Sequence, residues 1–162
     1  FQGGPHMNNI AAKAVAFGEA LKPSFRTYAR QVLKNAKVLE AELKKHGFKI
    51  MFGGTENHMM LVDVFGSKGV TGKEAEAALD KVGITLNKNM IPDDPRGPME
   101  PRGIRIGVPA VTTRGMKERE MKLIAEWIKE AVENHQNEKV LKEIHKKVVV
   151  LCKKFVIYKN LK

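Results

Sequence analysis

The stretch Gly103 to Gly115, GIRIGVPAVTTRG, constrains this chain more than any other. Ile104, Ile106 and Val108 alternate with Arg105 and Gly107, the two-residue period of a strand with one buried face. Arg105 then points to the side opposite the isoleucines, between glycines that leave room for another group to come close. A guanidinium fixed on a strand suits bidentate capture of a carboxylate or phosphate. A solvated surface ion pair is the plainer use of the same residue. Either way, a strand with one apolar face requires neighbouring strands and a cover.

The rest of the chain supplies both. FKIMF, Phe48 to Phe52, and MMLVDVF, Met59 to Phe65, read as strands joined through the turn GGTENH, and so short a connection favours antiparallel pairing. ITLNKN, Ile84 to Asn89, reads as another strand leaving the core. Helical spacing links Phe25, Tyr28, Val32, Ala36, Leu39 and Leu43 in a helix opened by Pro23 and Ser24 and closed by Gly47. Thr71 and Glu74 form a capping box before a helix that ends at Gly83. A helix starting at Met116 or Lys117 buries Met121, Ile124, Ile128 and Val132, with Trp127 beside them as packing. A last helix turns Leu141, Ile144, Val148, Leu151 and Phe155 inward. Between the strands ending near Asn89 and starting at Gly103, IPDDPRGP holds three prolines and one glycine in eight residues and must be a loop. IAAKAVAFGEAL, near the start, is apolar on most sides, so it is expected to be a helix buried against something larger. The expected architecture is α/β: a two-layer sandwich of a small, mostly antiparallel sheet covered by helices.

With 162 residues the chain is about one domain, 43% hydrophobic and 29% charged, as in globular proteins. No apolar run approaches the roughly 20 residues that span a bilayer, and no charged-then-apolar leader opens the sequence. The single cysteine, Cys152, lies on a helix's apolar stripe and fits a reducing, cytoplasmic setting better than a nucleophile. The net charge of +11 raises the reading of a basic interaction module for RNA or an acidic protein. Lysines mixed with glutamates, as in KEREMKLIAEWIKEAVE, argue for solvated helix faces instead. His6, His46, His58, His135 and His145 are scattered without metal-ligand spacing, so no metal site is expected. Nucleophile-elbow and phosphate-loop patterns are missing. His58 suits a structural hydrogen bond at the end of a turn, and Asp63 either pairs with a base or supplies edge-strand polarity.

Several long strings in the same order carry a family resemblance: QGGP at Gln2 to Pro5, AAKAVAFGEAL at Ala11 to Leu21, GGTENHMMLVDV at Gly53 to Val64, TGKEAEAALDKVGITLNKNMIP, and GIRIGVPAVTTRG. The chain resembles the C-terminal portion of serine hydroxymethyltransferase, almost gaplessly from Gln2 to about Ile128 and more loosely to Leu161. The resemblance implies the C-terminal small domain of a fold-type I pyridoxal-phosphate enzyme at residues 23–162. It makes residues 1–22 the linker and helix that end the large domain. It further implies serine and glycine as amino-acid ligands, tetrahydrofolate as one-carbon acceptor, pyridoxal phosphate as cofactor and a homodimer.

By that resemblance Arg105 binds the substrate's carboxylate, and Gly3 and Gly4 reach the cofactor phosphate of the neighbouring subunit. Asn89 falls on a folate-contacting position. Gly97, Pro98 and Met99 fall on the family's Ser-Pro-Phe folate segment, without its hydroxyl and aromatic ring. Arg114 matches a supporting arginine near the active site. Met99 to Arg102 replaces a small Val-Thr-Ser run, placing Glu100 and Arg102 close in sequence to Arg105, and Asp93 stands where Asn or Phe is usual. The Schiff-base lysine of the family lies upstream of QGGP. The expectation is therefore a fragment with no catalytic residue of its own, inactive alone and holding neither cofactor nor folate stably.

Overall fold

The computed structural model describes Gly4 and residues 6–157. Helix α1, Met7–Ala20, runs to a break at Leu21 and Lys22, and Pro23 at the first helical position starts α2, Pro23–Lys45. Pro suits that position because its missing N–H has no intrahelical partner there anyway. Val32, Ala36, Leu39 and Leu43 of α2 are buried as their spacing predicts, whereas Phe25, from the same stripe, is exposed. Gly47, at φ 81°, closes α2: its N–H donates to Lys44 O at 2.9 Å and that of Phe48 to Leu43 O at 3.0 Å. That left-handed closure favours a residue without a Cβ.

The strands are shorter than their apolar runs. Of the expected Phe48–Phe52 strand only β1, Lys49–Ile50, pairs, and Met51–Gly53 turns in a 3-10 coil with Phe52 at φ 56°. The second strand, β2, is Met59–Asp63 and stops two residues early, because the Asp63 carboxylate accepts the Gly66 N–H at 2.8 Å and starts helix α3, Val64–Lys68. A side-chain acceptor at this point satisfies a helix donor that a longer strand would have to surrender. Helix α4, Gly72–Lys81, opens on the capping box that Thr71 and Glu74 predict. The third strand, β3, is Asn87–Asn89 rather than Ile84–Asn89.

Strand β4, Gly103–Gly107, buries Ile104 and Ile106 and exposes Arg105. A short helix α5, Pro109–Thr113, which apolar periodicity does not announce, follows it. Helices α6, Glu118–Glu133, and α7, Glu138–Lys154, complete the chain, with Phe155 just past the end of α7.

The four strands form one antiparallel sheet in the order β1-β2-β4-β3. Ile50, Met60, Val62, Ile104 and Ile106 point to one side and join Leu39, Leu79, Met121, Ile128 and Ile144 from the helices in one core. This is the expected two-layer arrangement. The opposite face, with Met59, Leu61, Arg105 and Asn87, is left open or only half covered. Trp127 is buried as packing, and Cys152 is half-buried. No side chain of α1 is buried among the described residues, so nothing described here provides the larger cover expected for that helix.

Candidate functional site

Arg105 sits on a central strand. Leu61 of β2 stands opposite it on one side and Asn87 of β3 on the other. Two ladders therefore fix its backbone, and the segment that follows is fixed too. Asn35 of α2, fully buried, donates to Thr112 Oγ1 at 2.9 Å and to Met116 O at 3.0 Å. The Tyr28 hydroxyl reaches Thr113 Oγ1 at 3.1 Å. Buried polar groups so satisfied hold one geometry, since leaving any of them unpaired costs about 1–3 kcal/mol.

The Arg105 guanidinium has no ion pair or hydrogen bond among the described residues. It lines an open depression of about 630 Å³ with Lys37, Asn89 and the loop from Met51 to Asn57. A free guanidinium, an ammonium and a side-chain amide around one depression can receive an anion with an adjacent polar group. Among the described residues Arg105 therefore has no partner for the ion pair of the plainer reading.

One expected feature of this strand falls elsewhere. A Cβ on Gly103 would lie 2.6 Å from Ile91 Cγ2 and 2.8 Å from Asn89 O. The space beside that glycine is filled by the chain's own loop and is not open to a ligand. Gly107 has only ordinary contacts, the nearest being His58 O at 3.7 Å. The His58 carbonyl accepts the Val108 N–H at 3.0 Å, so that residue contributes its backbone just before β2.

The loop after β3 is built around Asp94. Its carboxylate accepts the N–H of Arg96 at 2.9 Å, Arg102 at 2.9 Å and Ile91 at 3.3 Å. Burial opposes the charge, but these three donors outweigh it and hold the Asp94 carboxyl below its ordinary range. Asp93 adopts φ 53°, a conformation that Asn and Asp tolerate best among residues with a Cβ. Glu100 pairs with Lys73 at 3.1 Å and Arg102 with Asp63 at 3.1 Å, and Arg96 and Arg102 both lie over the Phe65 ring. The two charges near Arg105 in sequence therefore have partners of their own, and neither lines its depression. Asp63 is buried at the middle of the sheet and pairs with a base, so edge-strand polarity does not describe it.

Of the remaining residues singled out by sequence, Gly97, Pro98 and Met99 form the exposed tip of this loop and do not line the depression. Arg114 lies elsewhere: its Nη1 donates to Phe155 O at 3.2 Å, closing the end of α7, and it borders an apolar cleft behind β4. Gly4 is exposed, and Gly3 lies outside the described residues. Sequence reasoning missed Glu40, Lys37, Asn35 and Asp94. Only Asp94 carried a signal, as an acidic residue in a proline-rich turn.

Lys44, Lys68, Lys88, Lys146 and Lys147 each sit within ion-pair distance of a glutamate, and no group of metal-binding side chains occurs among the described residues. None of the helices described is long and apolar enough to cross a membrane.

The fold and this depression define a class: a two-layer α/β domain that presents an arginine on the open face of an antiparallel sheet. The family model described as serine hydroxymethyltransferase matches residues 1–128. A serine hydroxymethyltransferase of Acidobacterium capsulatum is 56% identical over 157 residues, covering 97% of this chain and 36% of that protein. One from Legionella pneumophila is 50% identical over 97% of this chain and 37% of its own length, and one from Francisella tularensis is 56% identical over 98% and 38%. The chain belongs to the serine hydroxymethyltransferase family. It spans little more than a third of the length of these relatives.

Proposed function

We propose that this chain is the small domain and linking helix of an enzyme that converts serine and tetrahydrofolate to glycine and 5,10-methylenetetrahydrofolate, working as a dimer in the cytoplasm. The observation that carries this reading is the guanidinium of Arg105, unpaired among the described residues and lining its depression, at the position to which the resemblance assigns the substrate carboxylate. Arg105 would hold the carboxylate through two parallel hydrogen bonds, orienting the amino acid's Cα bonds toward the cofactor. Asn89, which shares the depression, would offer its amide to folate, and the exposed tip Gly97–Met99 would extend that contact. Lys37 would add positive potential without touching the reacting atoms.

Pyridoxal phosphate, when bound, supplies an electron sink for the amino acid's Cα. The residues in hand fit a role toward its phosphate. Gly4 has nothing within 4 Å of the place a Cβ would occupy, so its backbone is open to an anion brought by another subunit. Gly3 would act with it. Helix α1, with no buried side chain, would be covered by the large domain. Arg114, which closes α7, would support the site from behind β4.

The test is Arg105→Ala in the holoenzyme that contains this chain. A charge-assisted pair is worth about 1.5–3 kcal/mol, so KM for serine should rise roughly 10- to 100-fold with folding unchanged. The 162-residue chain alone, given serine, tetrahydrofolate and cofactor, should show no turnover. An unchanged KM in Arg105→Ala overturns the role of that residue, and turnover by the chain alone overturns the fragment reading.

A further inference from the structure

Glu40 belongs to α2 and does not line the Arg105 depression, yet its carboxylate is a centre of contacts with the loop that does. Its Oε1 accepts Lys44 Nζ at 2.6 Å, and its Oε2 accepts the Thr55 N–H at 3.0 Å and Lys37 Nζ at 3.4 Å. Lys44 Nζ also donates to Gly53 O at 2.6 Å. The carboxylate and its lysine thus grip the loop on both sides of Gly54, one through an amide and the other through a carbonyl. The grip is close: Gly54 has φ 155°, and a Cβ on it would collide with the Glu40 carboxylate. Phe52, at φ 56° and 82% exposed, and Gly53, at φ 75°, are held in the same left-handed turn. For a residue with a Cβ such a conformation persists only where surrounding contacts enforce it.

This turn is one wall of the depression that Arg105, Lys37 and Asn89 line. Glu40 is buried to 7% exposure. Burial alone would raise its carboxyl, but the Lys44 and Thr55 hydrogen bonds lower it further, so the group is ionised at neutral pH. It also holds Lys37, a second cation of the depression, against its own helix.

We infer that Glu40 is a positioning residue: through Lys44 and the Thr55 amide it fixes the Phe52–Thr55 wall, and so sets the affinity with which Arg105 takes an amino-acid carboxylate. The inference rests on the proposed role of Arg105 and assigns to α2 a part in amino-acid binding. Two effects compete when Glu40 is changed. Loosening the wall weakens binding, whereas releasing Lys37 from its partner strengthens the attraction for an anion. The positioning role requires the first to prevail.

The experiment uses the holoenzyme containing this chain, with serine KM and kcat measured for Glu40→Ala, Glu40→Gln, Gly54→Ala, Arg105→Ala and the double variant of Glu40→Ala with Arg105→Ala. Glu40→Ala and Gly54→Ala are expected to raise KM about tenfold with kcat within about twofold, the pattern of lost ground-state binding. Glu40→Gln keeps an acceptor for the Thr55 amide and should restore KM to within about threefold of the parent. In the double variant the Glu40 effect should largely vanish, because the wall then has no guanidinium to serve. If Glu40→Ala does not fold, Gly54→Ala reads the same contact with every charge in place. A raised KM in Arg105→Ala alone, with Glu40→Ala and Gly54→Ala at the parent value, overturns the inference and leaves the Arg105 reading standing. An unchanged KM in Arg105→Ala overturns the reading on which the inference rests. A lower KM in Glu40→Gln or Glu40→Ala shows that charge on Lys37 prevails, and overturns the positioning role.

Discussion

Helices α1 and α6 are close in length, 14 and 16 residues, and both carry large apolar side chains, but they end in opposite environments. Helix α6 buries Met121, Ala125, Trp127, Ile128, Ala131 and Val132. Helix α1 leaves Met7, Ile10, Val15 and Phe17 exposed. The difference lies in arrangement. Apolar residues on α6 form one stripe, backed by Glu118, Arg119, Lys122, Glu126 and Lys129, so one orientation satisfies the whole helix. On α1 alanines spread apolar surface around the helix, while Met7, Ile10, Val15 and Phe17 share a side that no described residue covers. The start of α1 is also weak, since His6 makes no side-chain cap bond and the first turn has no acid. Helix α4, shorter than either, begins with a complete capping box. A stripe specifies where a helix lies, and a cap specifies where it starts. An apolar sequence that surrounds its helix specifies only that it needs covering.

The largest effect that can break this contrast is in the core. Ile128→Ala removes a fully buried side chain from the layer against the sheet and should cost about 3–4 kcal/mol in a urea titration of the chain. A loss under about 1 kcal/mol would mean that α6 is no more anchored than α1.

A middle-sized effect separates local from tertiary support. Thr71→Ala at the start of α4 should cost about 1 kcal/mol at neutral pH. The Glu74 carboxyl lies below its usual 4.5, chiefly because it accepts the Thr71 N–H and then its hydroxyl. A lowered carboxyl gives stability that is complete above its unfolded value and lost as pH falls through its folded value. Thr71→Ala keeps the backbone N–H and loses only the hydroxyl bond to the Glu74 carboxylate, so the gap to the parent should narrow in part below about pH 4. A gap constant from pH 7 to pH 3 would assign the contribution of the Thr71 hydroxyl to its bond with the Glu74 N–H alone.

The smallest effect is expected on α1 itself. Phe17→Ser, at a side chain 68% exposed, should change the stability of the isolated chain by less than about 0.5 kcal/mol. In the holoenzyme the same substitution should lower Tm by several degrees if the large domain covers that face. A loss above about 1 kcal/mol in the isolated chain would show that α1 is held by this chain's own residues.

The helices of the α/β layer were legible because their stripes, their caps and the closing Gly47 and Gly83 agree. The strands were legible in kind but not in extent. MMLVDVF is apolar to Phe65, yet Asp63 diverts the chain into α3, and a capping carboxylate within an apolar run looks like any other polar interruption. Helix α5 was invisible because five residues hold too little period to show, and Asn35 and Tyr28 fix it from α2. At the depression, strand alternation placed Arg105 on the open face. The share taken by Lys37 and Glu40 depends on how α2 crosses the sheet, a fact no local window contains.

Asp94 gives the loop between β3 and β4 a further property. Three of its amides converge on that one carboxylate, while Gly97, Pro98 and Met99 at the tip add little beyond the Glu100 N–H to Gly97 O bond at 3.1 Å. The frame and the rim are thus separable: the tip can be rewritten residue by residue while the loop keeps its course. Recognition chemistry carried there is free to drift without the architecture drifting with it, whereas Asp94 has no such latitude.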